Sequence, residues 1–240
     1  MENSVPRFPV RTLLALTTLG ATLVATSGGA ATPSGATILA RALSNAAHST
    51  SVTLSGRVSF PGSVVAVHDG LNAKGSAGYT TISGIGTEYV ADRVGGPLVV
   101  KANSFNVLRD VLEVHAPTKR ELNVWYAVTT SDPRYYGLAG TYGGLSLARS
   151  FSFSPAGWSR RATYEGVTTL HGVRVYKLKA ASNTFAPGKG FNTTTLYVRD
   201  DAHPLPFAMT YSAQVPGFFY FSAWNHTTVA YATSTLKLPT

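Results

Sequence analysis

From Val52 to Phe60 the chain alternates. Val52, Leu54, Val58 and Phe60 are apolar, and Thr53, Ser55, Arg57 and Ser59 between them are polar. A period of two predicts a strand with one buried face. Pro61-Gly62 supplies a turn, and SVVAVHD predicts the returning strand. Short strands separated by glycine follow in AKGSAGYTTI, TEYVADRV and PLVVKA. Turns this frequent predict an antiparallel meander. A second run of strands is predicted in the last third, in VRVYKLKA, NTTTLYVRD, PFAMTYSA, GFFYFSAW and TTVAYA. Simple alternation puts Phe207, Met209 and Tyr211 on one face of their strand. In GFFYFSAW, Phe219 and Phe221 oppose Phe218 and Tyr220, so that strand is apolar on both sides. It is either central and covered twice, or one of its faces lines a cavity.

Elsewhere the period lengthens. Ile38, Leu39, Ala42, Leu43 and Ala46 recur at helical spacing, with Arg41, Ser44 and Asn45 facing away. They predict an amphipathic helix over 35–47, capped by Ser34 or Thr37. NSFNVLRDVLEV predicts a second helix, capped by Asn103 or Ser104, with Phe105, Leu108, Val111 and Leu112 as its apolar stripe. LNVWYAV looks extended. In DPRYYGLAGTYGGLSLARSF, Leu138, Tyr142 and Leu145 have helical spacing, yet Gly137, Gly140, Gly143 and Gly144 lie among them. Each glycine costs a helix about 1 kcal/mol relative to alanine. A weak helix or a loop with helical turns is expected there, acting as a lid that exchanges its amide hydrogens quickly.

The N-terminal segment departs from both patterns. Arg7 and Arg11 precede an apolar stretch that reaches Val24, and small residues follow through Ala31. This is the three-part shape of a secretory signal, and the apolar stretch is short of the about 20 residues a membrane span needs. The expectation is a cleaved signal over residues 1–31 and a single domain over 32–240, exported to the cell envelope or beyond it. Leu23-Val24-Ala25 resembles the triplet that precedes the lipid-modified cysteine of a bacterial lipoprotein, but Thr26 follows and the chain has no cysteine. The product is therefore expected to be unlipidated, and its fold to hold by burial without disulfides.

Composition narrows the function classes. The chain is 44% hydrophobic and 13% charged, which is a foldable balance, and its net charge is +9. A basic exported protein is attracted to anionic lipid or wall polymers. The charges are scattered, with Lys119-Arg120 the longest run, so nucleic acid is not expected as a partner. The six histidines show no metal-ligand spacing. Asp200, Asp201 and His203 sit together in RDDAHPLP, which is a turn between strand patterns before it is a metal site. There is no G-x-S-x-G, P-loop or dinucleotide fingerprint, and His68 and Asp69, adjacent on a strand, point to opposite faces. Neither an enzyme nor a cofactor or metal is expected. Trp125, Trp158 and Trp224 fall near turn signals, where packing at the rim or in the core is the simplest role.

Several phrases occur in an order that resembles the LppX/LprG-type envelope lipoproteins of actinobacteria. These are SNAAHSTSVTLSGRVS, GLNAKGSAGYTTISG, YVADRVGGPLVVKA, GVTTLHGVRVYKLKA, TLYVRDDAHPLPFAMTYS and FFYFSAWNHTTVAYA. The resemblance spans nearly all of the chain after residue 31 and departs from the family in two places: Thr26 stands for the anchoring cysteine, and Pro97 falls at the start of the PLVVKA strand. It implies an α+β fold in which a strongly curved antiparallel sheet forms a half-barrel, with helices packed over its concave face. It also implies a lipid carrier, with an apolar cavity between sheet and helices. On that footing Phe105, Leu108, Val111, Leu112, Leu138, Tyr142, Leu145, Phe207, Met209 and Tyr211 are the expected lining, and a lipid or apolar small molecule the partner. Two other classes compete: an envelope interaction or scaffold protein with a filled core, and a hydrolase. The hydrolase reading requires a Ser or Asp within hydrogen-bond reach of a histidine in a cleft.

Overall fold

Helix α1 spans Gly35–Ala47 in the computed structural model, which describes residues 34–136, 138, 162–181, 193–211 and 216–240. The sequence predicts its bounds because both of its determinants are local. Ser34 accepts a hydrogen bond from the Thr37 amide at 3.2 Å, and Ile38, Leu39, Ala42, Leu43 and Ala46 are buried on one face. The polar face is less free than expected. Asn45 donates to the Pro204 carbonyl at 2.8 Å and Arg41 to that of Ala202 at 3.4 Å, so the RDDAHPLP turn is tied to the helix. Gly35 permits close docking, since a Cβ there would lie 2.5 Å from the Ala162 carbonyl oxygen.

Eleven strands follow. The first six are β1 (Ser51–Phe60), β2 (Ser63–Asn72), β3 (Gly75–Ile82), β4 (Gly86–Arg93), β5 (Leu98–Ala102) and β6 (Tyr126–Val128). The last five are β7 (Ala162–Leu170), β8 (Val173–Ala181), β9 (Thr193–Arg199), β10 (Pro206–Tyr211) and β11 (Gly217–Ser222). They form one antiparallel sheet in the order β6-β5-β4-β3-β2-β1-β11-β10-β9-β8-β7. Two meanders thus grow outward from the central pair β1–β11. The sheet does not close; it curves as a half-barrel, with α1 packed on its inner face against β7 to β10. The main apolar core lies on that inner face and joins α1 to strand residues such as Val52, Leu178 and Met209.

The second predicted helix is mostly a π-helical turn, Val107–Val111. Its Leu112 amide donates to the Val107 carbonyl at 2.9 Å, one residue further than in an α-helix. The inward stripe is set one place off the expected one. Val107, Leu108 and Leu112 are wholly buried, Val111 is half-buried, and Phe105 is 38% exposed. The Ser104 hydroxyl caps the segment, accepting from the Val107 amide at 3.1 Å.

Two strand expectations are corrected. TTVAYA forms no strand: residues 227–236 cross the outer face of the sheet as an irregular strap. Their β-branched and aromatic residues suit an extended chain, but they pack across strands and not beside them. Gly70 makes room, since a Cβ there would meet Thr227 Cγ2 at 3.1 Å. Tyr231 then donates to Asn72 Oδ1 at 2.6 Å, Ser234 donates to the Trp125 carbonyl at 2.7 Å, and Lys237 bridges to Ala127 on edge strand β6. Conversely, β7 was not among the expected strands, because its polar, threonine-rich sequence has no buried alternation.

Arg134 fastens the end of the strap. Its guanidinium donates to the carbonyls of Leu112 (3.3 Å), Leu238 (3.1 Å) and Pro239 (2.6 Å), and pairs with Asp132 at 2.8 Å. The hydrogen bonds from Arg134 hold the Asp132 carboxyl below its usual range, against the effect of partial burial.

Candidate functional site

Register places one inner-face residue from each of nine strands on a continuous rung, because alternation keeps inner residues opposite one another. It runs Glu88, Thr80, Val67, Gly56, Phe219, Met209, Leu196, Leu178 and Tyr164, from β4 to β7. The rung changes character along its length. Thr80 and Glu88 are polar, whereas Val67 to Leu178 are apolar apart from Gly56. At Gly56 the Phe219 ring takes the space of the missing side chain, where a Cβ would lie 2.2 Å from Phe219 Cδ1.

Accessibility separates two parts of the core. Val67 keeps 7% of its surface exposed, Leu196 5% and Met209 8%. Leu108 and Leu112 keep none. Phe219 and Thr80 keep 3%, Leu178 1% and Glu88 none, so the rung is buried along its length and least tightly at Val67, Leu196 and Met209.

The expected lining therefore divides. Leu108 and Leu112 are sealed in the core, Val111 packs against it, Leu138 is buried in it, and Phe105 turns toward solvent. Met209 faces inward as expected. Phe207 does not share its face. A bulge between Pro206 and Ala208 puts Phe207 beside Ala208 in a second, outer cluster with Val175, packed by Tyr197, Phe218 and Tyr220. This also resolves the two-sided strand β11. Phe219 belongs to the inner core with Phe221 against it, and Phe218 and Tyr220 belong to the outer cluster. Tyr142, Leu145, the Tyr211 side chain and most of the expected lid lie outside the described residues. Val67, Leu196 and Phe219, which share the rung with Met209, were not among the expected residues. For Val67 a signal existed, since a two-residue turn at Pro61-Gly62 pairs Phe60 with Ser63 and so Gly56 with Val67.

Asp69 lies near the rung, paired with Gly78 and Leu54 on the inner face, and is 5% exposed. Its Oδ2 makes no hydrogen bond. Gly78 leaves the space that Oδ1 occupies, which a Cβ would approach to 1.9 Å. Burial pushes the Asp69 carboxyl from 3.8 up to about 7. An unfolded aspartate titrates near pH ~4. The folded protein therefore keeps a proton that the unfolded chain releases. This contribution to stability is full below pH ~4 and is lost as pH rises through ~7. Asp69→Asn should raise the denaturation midpoint at about pH 8 and change it little at about pH 4. An equal change at both pH values would remove Asp69 as the source.

The hydrolase reading meets the condition set for it, though the groups that would make the pair catalytic do not accompany it among the described residues. The Ser55 hydroxyl lies 2.8 Å from His68 Nδ1, and His68 borders a cleft on the outer face. Ser55 and His68 are direct cross-strand partners, and Asp69 points to the opposite face. No carboxylate orients the imidazole among the described residues. The strand amides around Ser55 are committed to the β1 ladders with β2 and β11, which leaves no donor pair for an oxyanion. The contact fixes the ring and stacks it on Tyr79, centroid to centroid 5.4 Å. No cluster of three or more metal-ligating side chains occurs among the described residues.

Solved structures share this architecture. The lipoprotein LppX of Mycobacterium tuberculosis aligns with a TM-score of 0.50 over 81% of this chain and 96% of that one, at 15% identity. LprF of Mycobacterium bovis aligns with a TM-score of 0.50 over 84% and 97%, at 13% identity. At such identities the likeness is one of fold. No protein-family model and no curated protein matches the sequence.

Proposed function

We propose that the protein is a non-enzymatic, exported binder of a lipid or other apolar ligand, held against the inner face of the half-barrel. The observation that carries this reading is the rung itself. Its apolar length over Val67, Phe219, Met209 and Leu196 suits an acyl chain. The fold shared with the lipoproteins LppX and LprF supports it, as does the order of sequence phrases. Cleavage near Thr32, leaving a single unlipidated domain, belongs to the same reading.

The test is binding of a fluorescent fatty-acyl probe by the parent and by Val67→Trp, with a denaturation midpoint for each. The parent is expected to bind. In Val67→Trp the ring fills the space, so binding falls while the midpoint holds. A filled face would instead lose about 1–3 kcal/mol to overpacking. Absence of probe binding by the parent, together with that loss, would turn the reading to an envelope interaction protein with a closed core. The complete burial of Val107, Leu108 and Leu112 favours this second reading at one end of the molecule.

A further inference from the structure

The outer face carries a row of rings that the inner-face reading does not use. His68 on β2, Tyr79 on β3 and Tyr89 on β4 are successive cross-strand partners, and Lys101 on β5 pairs with Tyr89. Ring centroids step 5.4 Å from His68 to Tyr79, 6.0 Å to Tyr89 and 6.5 Å to Trp125. The Lys101 ammonium sits 4.2 Å from the Tyr89 centroid and 5.0 Å from that of Trp125. Beside the row the strap forms the wall of an open cleft of about 520 Å³, where Thr227 lies opposite the rings. Tyr79 is 39% exposed although tyrosine carries a large apolar body.

We propose that this cleft binds a polysaccharide chain, its sugar rings stacked on the aromatic row and its acidic groups met by Lys101. A pyranose ring has an apolar C–H face and a polar rim. Aromatic rings with polar tips match the first, and the Thr228 hydroxyl matches the second, with Thr53 and Thr227, which bond each other at 2.8 Å, left as acceptors. The ring spacing is near the rise of one sugar unit in an extended chain, so successive units can meet successive rings. An acyl chain fits poorly, because Val90 is the one branched aliphatic residue in the lining. A bilayer fits poorly too, because the rings lie in a recess beside the strap and do not protrude as an apolar edge. The net charge of +9 favours an acidic polymer over a neutral one.

Titration calorimetry with polygalacturonate oligomers and with chitopentaose, on the full-length exported protein, tests this. Polygalacturonate is expected to bind, and chitopentaose more weakly. Trp125→Ala, outside the strands, and Tyr79→Thr, which keeps a strand-forming residue, are each expected to weaken binding about tenfold with an unchanged thermal midpoint. Lys101→Met should abolish the preference for the acidic chain. Binding of neither sugar, or parent-like binding by both ring variants, overturns the proposal. So does capture by phosphatidylglycerol vesicles that depends on Tyr79 and Trp125 when neither sugar binds, which assigns the face to a membrane.

Discussion

Trp224→Ala is expected to lower unfolding free energy by about 3–5 kcal/mol, the usual cost of emptying a buried tryptophan site. Trp224 is 6% exposed, its indole N–H donates to the Pro206 carbonyl at 3.1 Å, and its ring lies 6.4 Å from that of Phe221. The turn that carries it is held to β1. The Asn225 amide donates to the Ser51 carbonyl at 2.9 Å, and Asn225 Oδ1 accepts from the Thr50 amide at 2.7 Å. These bonds fix the turn whether or not the indole is present, so the cavity cannot easily collapse. Trp224→Phe should recover most of the loss, leaving the cost of an unpaired Pro206 carbonyl, about 1 kcal/mol or more. Urea denaturation followed by far-UV circular dichroism measures both. A loss below 1 kcal/mol in the alanine variant would mean that Trp224 does not anchor the turn to the core.

Leu108→Ala is expected to cost about 2–5 kcal/mol. Leu108 is wholly buried, and the π-helical turn that carries it packs on β4. Its neighbours Val107 and Leu112 are equally enclosed, so truncation leaves a cavity. Met209→Ala makes the contrast. Under the proposed function Met209 borders the ligand's space, and its truncation should then cost less than that of Leu108 while altering fatty-acyl probe binding. Equal costs at the two positions would mean the rung is as tightly packed as the π-helical turn.

Local chemistry was legible and register was not. Alternation together with Pro61-Gly62 gave the β1–β2 hairpin, and capping with amphipathic spacing gave α1. Phe207 and TTVAYA were misplaced because each depended on a neighbour remote in sequence. Phe207 changed faces because one extra residue enters β10 opposite β9, which no count along β10 alone reveals. Val107 and Val111 stand four apart beside Leu108 and Leu112, so the burial of Val107 was legible in the helical spacing and Phe105 was the wrong fourth member. TTVAYA has the composition of a strand, but Gly70 and Asn72 offered it a path across the sheet. The inner rung and the outer ring row are both products of strand register. Their residues lie on different strands and meet only once pairing is set.

The edge at β7 has a consequence for self-association. Among the described residues it is the last strand of an open sheet, and an unpaired edge invites a second copy to extend the ladder. Glu165 interrupts that template. It is the extra residue of a bulge between Tyr164 and Gly166, and it reaches Lys177 at 3.0 Å and Lys179 at 4.0 Å on the neighbouring strand. The other edge, β6, is occupied by the strap through the bridge from Lys237 to Ala127. One border is thus irregular and charged, and the other is plugged by the protein's own chain. Deleting Glu165 would restore a regular ladder with a threonine-rich rim, an edge open to extension by a second copy.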